Sequence, residues 1–202
     1  DRLRPQRAVV DVLERHRHHL GLAVVAFGYA PHIEFVRIGI AGFPTRYLPN
    51  PPSAATLFGN AYAVNTEFYA KNKQKFIGVF QAIAKGQIFT HANPEASIRL
   101  HWDLYPETKP KGKTTEEAMS DMLKILTERS DKWFPDPASP DQRMGSSTEK
   151  IWQDSVRFIA QINPTIGDKL KDVSKLYTND IIDAVNKFDR KAFEAFAKAY
   201  KA

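Results

Sequence analysis

Apolar residues recur at intervals of three and four along most of the chain beyond residue 65, and this spacing predicts helices. Phe76, Val79, Phe80, Ile83, Ile88 and Phe89 fall largely on one side of a helix from about Lys73 to Thr90. A shorter helix precedes it, through about Asn72. Asn65 suits its N-cap, with Glu67 and Phe68 in the first turn. Asn93-Pro94-Glu95 opens the next, with proline at the first helical position. Its expected buried stripe is Ile98, Trp102 and Tyr105, and Pro106 ends it. Thr114 or Thr115 caps a long helix carrying Ala118, Met119, Met122, Ile125 and Leu126. Ser146 with Glu149 has capping-box spacing before a helix carrying Ile151, Trp152, Val156, Phe158 and Ile159. LYTNDIIDAVNKFD, from Leu176, and RKAFEAFAKAYK, from Arg190, predict two short helices, the second capped by Asp189.

The pattern differs before residue 65. Val9, Val12, Leu13 and Leu20 suit an amphipathic helix after Pro5, stopped by Gly21. LAVVAF, from Leu22, is a strand or a buried helix. RYLPNPP, from Arg46, is an extended segment running into a proline-rich connection. LFGNAYAV, from Leu57, predicts a buried strand. The expected fold class is therefore α/β, helix-rich, with few strands.

Composition narrows the function classes. The 202 residues are 43% hydrophobic and 26% charged, enough for one domain or two small ones. No window approaches the roughly 18 apolar residues of a membrane span. Cysteine is absent, which excludes disulfides, thiolate metal sites and cysteine nucleophiles. The net charge of +6 permits an anionic partner. However, the lysines interleave with carboxylates, as in SDKWFPD from Ser130, so they read as solvated surface and no nucleic-acid partner is expected.

The chemical candidates are few. His16 and His19 share a helical face, but a zinc site needs a third ligand, and neighbouring arginines oppose a cation. No metal site is expected. His101 and Asp103 are two apart on a helix and point away from each other, which argues against an acid–base pair. Glu116-Glu117 and the pair Asp180 and Asp183 sit at or near first helical turns, where carboxylates meet the helix dipole favourably. Gly59, Gly86 and Gly112 form no phosphate-binding fingerprint. One segment stands out. Gly59 and Asn60 precede Tyr62 in an apolar run, where glycine allows close approach and an amide can bond a polar ligand. The candidate ligand-binding residues are thus Phe58, as an apolar wall, Gly59, Asn60 and Tyr62.

RYLP, FGNAYAVNTEFYAKN, FQAIAKGQIFTHANPEASIRLHWDLYPETKPKG, IWQDSVRFIA, LYTNDIIDAVNKFD and KAFEAFAKA occur in that order. Together they resemble the C-terminal portion of ABC-transporter substrate-binding proteins. The relevant branch contains the nitrate-, sulfonate- and taurine-binding proteins and the thiamine-pyrimidine-precursor proteins. The resemblance covers residues 33–202, and residues 1–32 form an unmatched N-terminal segment. It implies part of a type II periplasmic-binding-protein-like fold, with LFGNAYAV a strand near the lobe crossing. It also implies a periplasmic or lipid-anchored protein that captures a small organic or inorganic solute for a membrane permease. The net positive charge mildly favours an anionic solute. That role involves no cofactor and no catalysis. AFGYAPHIEFVRIGI, from Ala26, lacks the aspartate of the family's hinge segment, and family members are about half as long again, so a truncated form is expected. The alternatives are a helical interaction module that forms a homodimer and an enzyme related to thiamine-pyrimidine synthesis. The second fits less well, because such enzymes carry a cysteine-rich motif.

Overall fold

The computed structural model of the protein describes residues 31–44 and 61–202. The chain divides into two units, Asp1–Pro31 and His32–Ala202, and the second carries all but the first residue of the described helices. The helix expected after Pro5, LAVVAF, RYLP and the start of LFGNAYAV lie outside the described residues.

The first described helix, α1 (Pro31–Ile40), has proline at its start, a helix-opening signal that the hydrophobic pattern alone does not reveal. Helix α2 (Thr66–Ala92) is the axis of the unit: α3 (Pro94–Leu104), α4 (Thr115–Ser130), α7 (Ile182–Val185) and α8 (Arg190–Ala199) all pack on it. Helix α5 (Glu149–Ile162) packs instead on α6 (Pro164–Lys169) and on the 3-10 turn Val173–Lys175.

The expected break between the first two helical segments is present. Helix α2 leaves helical backbone at Asn72, with φ −131° and ψ 24°. The predicted caps also form: the side chains of Asn65, Asn93 and Asp189 accept from the N–H groups of Phe68, Ala96 and Ala192. At α4, Thr114 Oγ1 accepts from Glu117 N–H while the Glu117 carboxylate accepts from Thr114 N–H, a reciprocal capping box.

Four expectations are corrected. The described part of LFGNAYAV, from Ala61 to Val64, is not a strand, and no strand occurs among the described residues. Over those residues the unit is helix-rich rather than α/β. A strand needs a paired edge, and here the Asn65 cap turns the chain directly into a helix. Val79 is 55% exposed, because the buried face of α2 runs through Phe76, Phe80, Ala84 and Ile88 at intervals of four. Tyr105 is 52% exposed, because it caps α3 with non-helical backbone and so leaves the stripe of Ile98 and Trp102. Finally, Thr148 rather than Ser146 caps α5. Gly145, at φ +81°, closes a turn in which the Ser146 hydroxyl donates to the Arg143 carbonyl.

Two apolar clusters form the core. In one, Ala84 and Ile88 of α2 meet Met144, Ile181 and Val185, ringed by Tyr69, Phe76, Phe80, Phe134, Phe188 and Phe193. In the other, Ile98 and Trp102 of α3 meet Ala118 and Met119 of α4. Asparagine side chains fasten the segments that surround them. Asn186 accepts from Met144 N–H at 2.9 Å and donates to Met144 C=O at 3.1 Å. Asn179 does the same for Ser147, at 3.1 and 2.7 Å. Asn93 caps α3 and also donates to the carbonyls of Ala197 and Tyr200, both at 2.9 Å.

This packing can be tested at two points. Asn93→Asp keeps the cap acceptor but loses both donations to the α8 end and sets a carboxylate against two carbonyls. It should lower stability by at least about 1 kcal/mol in urea unfolding; an unchanged midpoint would show that the α8 end is fastened by other groups. A Cβ on Gly167 would lie 2.4 Å from Ala160 Cβ and 2.7 Å from Ala160 Cα. Gly167→Ala should therefore cost about 1–3 kcal/mol by overpacking. Gly86→Ala, where a Cβ meets nothing within 4 Å inside α2, should stabilise by about 0.5–1 kcal/mol. The same unfolding assay reads both, and effects of the same sign would contradict this packing.

Candidate functional site

Phe58, Gly59 and Asn60 lie outside the described residues, so Tyr62 alone places the predicted ligand segment. Ala61–Asn65 has no regular secondary structure and leads into the first turn of α2. Tyr62 is 68% exposed and leans on Phe80, with ring centroids 5.2 Å apart. Phe80 continues into a chain of rings: Phe76 at 6.0 Å, then Tyr69 and Phe68, 5.2 and 5.9 Å from Phe76. Phe76 and Phe80 pack on the core, whereas Phe68 is 56% exposed. The rim is thus an accessible aromatic surface on a fixed base, suited to stacking against a flat or apolar group.

The polar end of this surface is organised by Asp180, just before α7. One carboxylate oxygen accepts from the Tyr69 hydroxyl, and the other pairs with Lys73 Nζ at 2.6 Å. Lys73 also lies 5.6 Å from the Tyr69 ring centre. Asp180 therefore binds residues of α2 more than 100 positions away rather than only meeting a helix dipole. Its companion Asp183 lies in the first turn of α7 and accepts from Arg143 at 2.6 Å.

The hydrogen bond from Lys73, then that from Tyr69, holds Asp180 below the usual carboxylate range. Burial, then the hydrogen bond to Asp180, pushes the Tyr69 hydroxyl up to about 12. Near neutral pH, Tyr69 is thus protonated and Asp180 ionised, which suits a fixed hydrogen bond rather than proton transfer.

The other candidates are distributed differently. His101 lies against Tyr105, with ring centroids 5.2 Å apart and planes tilted by 42°, and no hydrogen bond joins it to Asp103 among the described residues. His16, His18 and His19 lie outside them, and no cluster of three or more metal-ligating side chains occurs among them. A groove of about 790 Å³ opens between α3 and α4 over Met119 and Leu123. Its rim includes Arg99, Glu116 and Lys124, with Arg99 bonded to Glu95 at 2.6 Å, and Tyr62 does not line it. Sequence reasoning missed Tyr69 and Lys73, because pairing to a carboxylate so distant in sequence leaves no local signal.

The Tyr69–Asp180 bond has a definite pH signature. The folded-state value of Tyr69 lies above its ordinary value of about 10, so its contribution to stability is complete below that pH. It is lost as pH rises towards about 12. Tyr69→Phe should be less stable than the native chain at pH 7, with the difference narrowing between pH 10 and 12. Thermal melts across that range check this, and a pH-independent difference would rule out the linkage.

Compared with known proteins, no family model matches the chain, and neither a curated protein nor a solved structure matches it.

Proposed function

We propose that the chain is a non-catalytic solute-binding component of an ABC importer, built on part of a type II periplasmic-binding-protein-like fold. In this reading it works outside the cytoplasm and delivers a small organic or inorganic solute to a membrane permease. The observation that carries the proposal is the setting of Tyr62. It stands exposed on Phe80, at the head of α2, at the end of the apolar run that the family resemblance marks. An exposed phenol ring held on a partly buried aromatic base offers both stacking and orientation to a small ligand. The motif order supports the same reading.

A second reading is favoured by a different observation. Phe68, Val79, Leu104 and Phe196 are all large apolar residues more than half exposed. Such surfaces suit a helical interaction module that pairs with a second copy of the chain.

Thermal unfolding against nitrate, sulfonates, taurine, bicarbonate and pyrimidine compounds tests the first reading. A true ligand at about 100 times its dissociation constant should stabilise the fold by about 2.7 kcal/mol. Tyr62→Ala should retain a cooperative transition but lose at least about tenfold in affinity for the responding compound, the equivalent of about 1.4 kcal/mol. An unchanged affinity in that variant would refute the site assignment. No response to any compound, with a molar mass that rises with concentration, would favour the second reading.

A further inference from the structure

The break in α2 coincides with a change in how the helix is held. From Phe76 onward, Phe76, Ile77, Phe80, Ala84 and Ile88 anchor the helix in the main apolar cluster. Before Asn72, residues 66–68 and 70 are exposed, and Tyr69 is the residue of that turn that reaches the cluster. The turn is therefore attached weakly, through Tyr69 and the contact of Phe68 with Phe76. At the break, the Asn72 side chain donates to Phe68 C=O at 2.9 Å, giving that carbonyl a partner where the backbone departs from helix.

Asp180 spans this break. Tyr69 lies on one side of Asn72 and Lys73 on the other, and the two oxygens of one carboxylate hold one each. A carboxylate on a separate segment, gripping both arms of a kink, fixes the angle between them.

We propose that Asn72 is a hinge and Asp180 its latch. The turn Thr66–Lys71 swings relative to the rest of α2, and Asp180 holds it in the observed position. Tyr62 lies four residues before that turn, so its release carries the ring of Tyr62 off Phe80. The consequence for solute capture rests on the function proposed above, whereas the hinge itself does not.

Hydrogen exchange of the full chain without ligand tests the hinge separately from the function. In Asp180→Asn, amides of residues 68–71 should exchange about fivefold faster, the change expected from losing one net hydrogen bond of ordinary strength. Residues 80–90 should exchange at the native rate. Tyr69→Phe, which frees only one arm, should accelerate the same turn and serves if Asp180→Asn does not fold. Equal acceleration in both segments, or none in either, overturns the proposal.

Discussion

Asparagine side chains bonding both ways to the backbone hold this structure together. A carboxamide carries a donor and an acceptor at one end, so it can complete a peptide group as a neighbouring strand would. Asn186 and Asn179 do this for Met144 and Ser147, fixing the loop that delivers Met144 to the core. Asn93 joins the start of α3 to the last residues of the chain. These bonds link segments 32 to 107 residues apart, without a sheet among the described residues. Each is partly shielded from water, where an unpaired backbone group costs more than the net value of the bond it would make.

This arrangement also explains what the sequence disclosed. Caps are local devices, with the side chain and the N–H group it accepts from three residues apart. Asn65, Asn93, Thr114 and Asp189 could therefore be found from residue type and spacing. The break near Asn72 was legible for the same reason. Ser146 misled because its capping-box spacing was right but its hydroxyl was taken by the turn at Gly145. Long-range partners leave no such trace. Asn179 and Asn186 look like ordinary polar residues of the short helix predicted over LYTNDIIDAVNKFD, and Asp180 looks like a first-turn carboxylate. The apolar run around Tyr62 is too short for its length to separate strand from helix, and the structure shows neither over Ala61–Val64. Of the candidate ligand residues, the structure describes Tyr62, whose exposure the sequence did not indicate.

The charges divide into two kinds with different consequences. Glu95–Arg99 and Glu194–Lys198 are single-turn pairs on exposed helix faces. Such pairs contribute little to stability and are screened by salt. Arg143 is different, because it bonds both Asp141 in its own turn and Asp183 of α7. It orients one segment against another, as Asp180 does between α7 and α2. Among the described residues, Arg143 and Asp180, the charges that join separate segments, are already matched to partners within the fold.

The same distinction bears on how a solute could be held. Tyr69 and Asp180 satisfy each other, so neither offers an uncommitted charge to a ligand. Among the described residues, Tyr62 presents ring surface and its hydroxyl on a base formed by Phe76 and Phe80. Recognition by such a surface relies on stacking and shape, with one polar contact for orientation. In the proposed role, the described part of this surface suits a planar or partly apolar organic solute.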